Sequence, residues 1–105
     1  MTFSIQHTDG SSDETDDITC LDELYNELLL ADAEHFDVAV FNDECGYAIA
    51  AYPSGHVTLI HFSTLEQQEW HLYGMTKADV VELWQHLAVG DMSVILAHPW
   101  QSKPN

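Results

Sequence analysis

Residues 46–62, GYAIAAYPSGHVTLIHF, decide the fold class of this chain. Both halves of the stretch are rich in β-branched, aromatic and small apolar residues, and the second half is typical of a strand. Between them, Pro53 pre-sets φ and Gly55 can adopt a positive φ, so PSG is a turn signal. The stretch therefore predicts two antiparallel strands, 47–53 and 56–62, joined by a tight turn.

The segments on either side extend this hairpin into an antiparallel meander. FDVAVFND, residues 36–43, alternates apolar and polar side chains before a turn signal between Asn42 and Gly46. EWHLYGM, residues 69–75, alternates in the same way and predicts a fourth meander strand. Near the start of the chain, TFSIQH at residues 2–7 has the same half-buried pattern and predicts a separate strand.

Two helices are predicted from apolar residues that recur on one face of a 3.6-residue repeat. The first spans residues 19–35, with Thr19 at its N-cap. The second spans residues 76–91, with Thr76 at its N-cap and Asp79 three positions later. The apolar stripes consist of Leu21, Leu24, Tyr25, Leu28 and Leu29 in the first helix and of Val80, Leu83, Trp84 and Leu87 in the second.

Gly90 is a helix stop, and the rest of the chain is predicted to be a strand at residues 92–100, MSVILAHPW, and a frayed tail at residues 101–105. The predicted order is β-α-β-β-β-β-α-β. This order indicates one α+β domain over residues 1–105, with a mostly antiparallel sheet of about five to six strands and two covering helices. A chain of 105 residues, 46% of them hydrophobic, can bury a core of this kind.

The charge balance is the most unusual feature of the composition. There are 18 Asp and Glu residues, two lysines and no arginine, which gives a formal net charge of −16. Such a field repels nucleic acid and anionic membranes and attracts cationic partners. The alternative interpretation is that the acidity serves only solubility, although a net charge of about 2 to 8 suffices for that in a small domain.

The sequence also bears on the location of the protein. No segment approaches the ~20 consecutive apolar residues of a membrane span. The N-terminal residues lack the basic and apolar regions of a secretory signal. The two cysteines, Cys20 and Cys45, have no CxxC spacing and are expected to be reduced thiols. We therefore expect a cytoplasmic protein.

Residues 8–18, TDGSSDETDDI, form the most acidic segment and are predicted to be a loop. A calcium loop of the EF-hand type needs Gly at its sixth position and Glu at its twelfth. Neither the frame that starts at Asp9 nor the frame that starts at Asp13 supplies them. A solvated loop and a surface that meets a basic partner both remain open for this segment.

No other motif assigns a catalytic residue, a cofactor or a metal. Seven histidines invite a zinc hypothesis, but no closely spaced zinc motif is present. Glu69 and His71 share one predicted strand face, with His61 as a candidate cross-strand neighbour, and ordinary sheet histidines are the favoured interpretation. No phosphate loop or catalytic triad order is recognisable, so an enzyme with an acidic pocket is kept only as a minor alternative.

The aromatic residues divide into two groups. Trp70 alternates with charged residues on a predicted strand and Trp84 lies on a helix stripe, so both are predicted to be core residues. Tyr47, Tyr52 and Tyr73 fit either packing or binding, because tyrosine is enriched at interface hot spots.

Four segments of the chain share features with a known family. They are LDELYNELL at residues 21–29, GYAIAAYPSGHVTLIHF at 46–62, ADVVELWQHLAVGD at 78–91, and a closing strand that ends in Trp100. On these segments, residues 18–100 resemble the first-numbered immunity-protein family of bacterial polymorphic toxin systems. The late helix departs from the family pattern, because VGDM stands here in place of a TGERP-type end.

The resemblance implies a cytoplasmic immunity protein that binds a cognate antibacterial toxin one to one and occludes its active site, without catalysis of its own. Toxins paired with this family are often nucleases or nucleic-acid deaminases, and a basic cleft on such a toxin agrees with the −16 charge. An acidic adaptor or chaperone for a basic secreted effector is the alternative. The predicted partner-contacting residues are Asp13, Glu14, Asp16, Asp17, Asp43, Glu44, Glu66, Glu69 and Tyr73.

Overall fold

The computed structural model describes residues 2–8, 11–30, 37–53, 55–62 and 68–102. The strands are β1 (Phe3–Gln6), β2 (Ser12–Thr15), β3 (Val38–Asn42), β4 (Tyr47–Ala51), β5 (Val57–His61), β6 (Gln68–Leu72) and β7 (Gln101–Ser102). The helices are α1 (Cys20–Asn26), a 3₁₀ turn (Glu27–Leu30), α2 (Lys77–Ala88) and α3 (Met92–Leu96).

Within these residues, all seven strands belong to one sheet in the order β2-β1-β3-β4-β5-β6-β7, and every neighbouring pair is antiparallel. The α+β class, the antiparallel sheet and the meander of β3 to β6 are therefore confirmed. The turn between β4 and β5 has the predicted chemistry, because Gly55 adopts a φ of 87° and its N–H donates to the Tyr52 carbonyl at 3.1 Å. A Cβ on Gly55 would lie 3.2 Å from the Met75 carbonyl oxygen, so the turn also needs the small residue.

One face of the sheet packs against the helices and forms the core. Because side chains alternate across a strand, only every second strand residue joins this core. The strands contribute Phe3, Ile5, Val38, Val40, Ile49, Ala51, Val57 and Leu59, and the helices contribute Leu21, Leu24, Leu28, Val80, Leu83, Trp84, Leu87, Ala88 and Ile95. Among these, both predicted helix stripes are confirmed for the side chains that the structure describes.

Helix α2 begins and ends as its sequence predicts. The Thr76 hydroxyl accepts from the Asp79 N–H, and the Asp79 carboxylate accepts from the Thr76 N–H at 3.1 Å, which is a complete capping box. At the other end, Gly90 has a φ of 78° and its N–H donates to the Leu87 carbonyl. In between, Trp84 is fully buried and its indole N–H donates to the Ile49 carbonyl at 3.0 Å, which joins the helix to the sheet.

The acidic segment is not a simple loop, and that prediction is wrong for residues 12–15. They form strand β2, which pairs with β1 so that Ile5 lies opposite Asp13 and Ser4 opposite Glu14. The hydrophobic pattern could not reveal this strand, because an edge strand with exposed side chains needs only backbone pairing. Residues 9 and 10 lie outside the described part of the chain.

The predicted last strand at residues 92–100 is also wrong. Met92 to Leu96 form helix α3. Ile95 is fully buried, and Met92, three positions before it, also packs against the core. That spacing fits a helix, since a strand would bury alternate residues. The tail is paired rather than frayed at residues 101–102, where His71 lies opposite Gln101 in β6 and β7.

The first helix is shorter than predicted. Helix α1 ends at Asn26 and continues as the 3₁₀ turn to Leu30, whereas residues 31–35 lie outside the described part of the chain. Thr19 occupies the N-cap position, but its side chain makes no capping hydrogen bond to the helix. Its hydroxyl donates instead to the Asp17 carboxylate.

Candidate functional site

The sheet face opposite the core, which we call the open face, is the candidate site, because none of the described helices contributes to it. Strand register places one row of residues straight across this face. From β2 to β6 the row reads Glu14, Ser4, Phe41, Ala48, Ile60 and Glu69. The middle of the row is apolar and both ends are carboxylates, which stand about 24 Å apart at the usual spacing of strands.

An acidic cleft lies at one corner of the open face. Glu14 of β2, Asp43 and Glu44 of the β3–β4 turn, and the Phe41 ring line a space of about 80 Å³. Although Glu14 and the turn pair are almost thirty positions apart in the chain, the sheet order β2-β1-β3 brings them together. The cleft is far smaller than the 300–1,000 Å³ of typical small-molecule pockets, so it suits contact with a side chain of a partner.

Buried Asn42 fixes the turn that carries Asp43 and Glu44. Its side-chain carbonyl accepts from the backbone N–H groups of Glu44 at 3.0 Å and Cys45 at 3.3 Å. Its amide donates to the Leu87 carbonyl of α2 at 2.8 Å. Because Asn42 is fully buried, these bonds hold the turn in one position relative to the core.

At the opposite end of the open face, three rings stack in a row that we call the aromatic ladder. The ring centroids of Tyr52 and His56 are 4.9 Å apart with an interplanar angle of 16°. Those of His56 and Tyr73 are 4.8 Å apart at 9°. The ladder thus spans the ends of β4, β5 and β6, and Tyr73 at its edge is 52% exposed.

His71 of β6 supports the middle ring of the ladder. His56 Nε2 and His71 Nδ1 are 2.8 Å apart, so one imidazole donates to the other. The Thr58 hydroxyl lies 3.2 Å from His71 Nδ1 and 3.4 Å from His56 Nε2. Burial, and then the nearby His71, lower the pKa of His56. One ring must accept this hydrogen bond, so the arrangement is incompatible with protonation of both rings at once.

The other predicted contact residues lie away from the open face or outside the described residues. Asp13 shares the core side of the sheet and lies 2.8 Å from His7 Nε2. Asp16 and Asp17 are exposed in the segment that follows β2, and hydrogen bonds from Thr19 lower the pKa of Asp17. Glu66 lies in the segment that the structure does not describe.

His7 forms a clamp between the first hairpin and the 3₁₀ turn. Its Nδ1 is 2.6 Å from the Glu27 carboxylate, and its Nε2 contacts Asp13. The Thr8 N–H also donates to Glu27, at 3.3 Å. The hydrogen bond to Glu27, reinforced by the bond to Asp13, raises the pKa of His7 against the opposing effect of burial.

The charges on the open face are not compensated within the described residues. Glu14, Asp43, Glu44 and Glu69 form no ion pair there. Lys77, the lysine in the described ranges, lies on α2 and donates to the Asp22 carboxylate at 3.3 Å and the Asn26 carbonyl at 2.9 Å. In the part of the chain that the structure describes, the face therefore combines an apolar centre with acidic ends and carries no lysine.

Sequence reasoning missed part of this site. It singled out Glu69, Tyr73 and the cleft carboxylates, but not the ladder residue His56 or the apolar centre. HVTLIHF carries one usable signal, since its alternation puts His56, Thr58, Ile60 and Phe62 on one face. His61, considered as a neighbour of His71, lies on the core side opposite Gln68, whereas Thr58 lies opposite His71.

Neither a metal site nor an activated thiol is found among the residues that the structure describes. No group of three or more His, Cys, Asp or Glu there is arranged to hold a metal ion. Cys20 and Cys45 are free, and burial is the main cause that raises the pKa of each thiol. No helix in the described ranges has the length and apolarity needed to cross a membrane.

Comparison of the chain with protein-family models, with curated proteins and with solved structures gives no significant match. The functional interpretation therefore depends on the open face itself.

Proposed function

We propose that this protein is a cytoplasmic immunity protein that binds and inhibits a cognate antibacterial toxin. The toxin in this proposal is a basic enzyme that acts on nucleic acid, a deaminase or a nuclease, and inhibition is stoichiometric occlusion of its active site without catalysis. The observation that carries the proposal is the open face, where an apolar centre lies between carboxylates that form no ion pair within the described ranges.

The physical chemistry of this face fits a basic protein surface. Interfaces combine an apolar, desolvated centre with a polar rim, and the half-buried side chains of Phe41 and Ile60, on either side of fully buried Ala48, supply such a centre here. A cleft that binds nucleic acid is lined with Lys and Arg, because phosphates dominate its affinity. Carboxylates such as Glu14, Asp43 and Glu44 can take the place of phosphates in that cleft, and the net charge of −16 accelerates the encounter.

The test uses the toxin domain encoded beside this chain and measures its hydrolysis or deamination of nucleic acid. Titration with the protein should abolish activity with an equivalence point at one to one. Binding without inhibition would instead favour the adaptor alternative, and full activity with no complex would contradict the proposal.

A charge-matched pair of variants locates the interface. Replacing the cleft carboxylates by amides (Glu14→Gln, Asp43→Asn and Glu44→Gln) should lower the association rate about tenfold at low salt. The control removes three charges from α1 and α2 by Asp22→Asn, Glu23→Gln and Glu82→Gln, so the net charge is identical. If both triple variants slow association equally, overall charge rather than the open face explains the effect.

A further inference from the structure

At the exposed end of the aromatic ladder, the described rings that stack on Tyr73, those of His56 and His71, lie on the same side of it. His56 covers one face of Tyr73, with a centroid distance of 4.8 Å. Tyr73 is nevertheless 52% exposed, so a large part of its surface remains accessible to a partner. A stacked neighbour already restricts the rotamers of this exposed tyrosine. The side chain therefore loses little conformational entropy when a partner covers it, which favours binding.

The electrostatic surroundings of the ladder favour a cation. Burial, and then the charges of Asp37 and Glu69, raise the pKa of Tyr52, so the field of both carboxylates reaches the far end of the stack. Glu69 shares strand β6 and its open face with His71, and Tyr73 follows the end of that strand. Burial, and then the nearby His71, lower the pKa of His56 below its ordinary value of 6.5, so at neutral pH the ring that stacks on Tyr73 is uncharged and does not repel a cation.

We infer that the ladder is an anchor site for an arginine side chain of a basic protein partner, with the guanidinium stacked on Tyr73. This inference rests on the proposed function and names the group that the open face recognises at this end. Arginine fits better than lysine, because its planar guanidinium stacks on aromatic faces, whereas the lysine ammonium is a compact and strongly hydrated charge. The effect of Asp37 and Glu69 on the pKa of Tyr52 indicates that the potential around the ladder is negative.

The test measures fluorescence anisotropy of labelled nona-arginine and nona-lysine peptides, which carry equal charge, at constant ionic strength. We expect tighter binding of nona-arginine to the unmodified protein. Tyr73→Leu should weaken nona-arginine binding about threefold to tenfold and nona-lysine binding much less, because only the guanidinium stacks on the ring. Tyr73→Phe keeps the ring face and should retain the arginine preference.

A second tyrosine provides the matched control. Tyr47 stacks on His61 with a centroid distance of 4.4 Å, but it lies on the core side of the sheet. Tyr47→Leu should therefore leave the arginine preference intact, once circular dichroism has shown that both leucine variants are folded.

Three outcomes separate the two proposals. If both peptides bind equally and Tyr73→Leu changes neither affinity, the arginine anchor is overturned. If, in that case, amide substitution of the cleft carboxylates still weakens both peptides, the basic-partner proposal stands without the anchor. If neither peptide binds at low salt, both proposals are contradicted.

Discussion

At the residue scale, folding shifts the pKa values of two histidines in opposite directions. Hydrogen bonds to Glu27 and Asp13 raise the pKa of His7 above its ordinary value of 6.5. Burial and His71 lower the pKa of His56 below 6.5. Above pH 6.5 and up to the folded pKa of His7, the native state therefore holds more protons than the unfolded chain. Below pH 6.5 and down to the folded pKa of His56, the unfolded chain holds more.

These signs predict a maximum of stability near pH 6.5. On the alkaline side the stabilising contribution of His7 is lost as pH rises, and on the acidic side the unfolded chain gains from protonation of His56 as pH falls. Asp17 and Asp79 have pKa values lowered from 3.8, so they add acid sensitivity only at lower pH. Urea unfolding between pH 5 and 8 measures the effect.

Two variants test which histidine causes the loss of stability on each side of the maximum, the alkaline limb and the acidic limb of the profile. His7→Gln should flatten the alkaline limb and leave the acidic limb, whereas His56→Gln should do the reverse. A profile of unfolding free energy that keeps both limbs in both variants would show that other groups control the pH dependence.

At the element scale, the two threonines at the helix starts differ in their effect on stability. Thr76 completes a capping box with Asp79, whereas the side chain of Thr19 makes no capping bond to α1. Thr76→Ala should therefore lower the free energy of unfolding by about 1 kcal/mol, and Thr19→Ala by a few tenths. Urea unfolding followed by the fluorescence of buried Trp84 compares them. Equal losses would mean that the Asp17 bond to Thr19 stabilises α1 as much as a cap does.

The same comparison shows why some elements could be predicted from the sequence. Helix α2 has an apolar stripe, a capping box and Gly90, so three independent signals agree. Strand β2 has no large apolar residue, and α3 is a five-residue segment with four apolar residues, which is too short for periodicity to distinguish a helix from a strand. Both were therefore misassigned, although the fold class was correct.

The candidate site was harder to predict than the fold, because it depends on long-range pairing. Glu69 and Tyr73 could be proposed from β6 alone. The contact of His56 with His71 follows from the register of β5 with β6, which no local pattern specifies. The open face could not be chosen either, because β3 and β4 carry small or apolar residues on both faces, such as Ala39 beside Val40.

At the scale of the whole molecule, the charge of −16 affects stability and binding in opposite ways. At about 10 mM salt the Debye length is about 30 Å, which is close to the extents of the molecule, 35 × 31 × 26 Å. Nearly all carboxylates then repel one another across the whole fold, and this repulsion favours the unfolded chain. Raising NaCl to about 300 mM should increase the free energy of unfolding by on the order of 1 kcal/mol.

The same screening should weaken association with a basic partner, so the two salt dependences have opposite signs and one cause. Urea unfolding of the free protein and the anisotropy of bound nona-arginine measure them over one NaCl series. The control triple variant Asp22→Asn, Glu23→Gln and Glu82→Gln should reduce the salt dependence of stability, because it removes charge, while keeping the open-face carboxylates. If stability does not rise with salt in the unmodified protein, then the carboxylates are neutralised in the native state. Neutralised carboxylates would not attract a basic partner, so the electrostatic part of the proposed function would be contradicted.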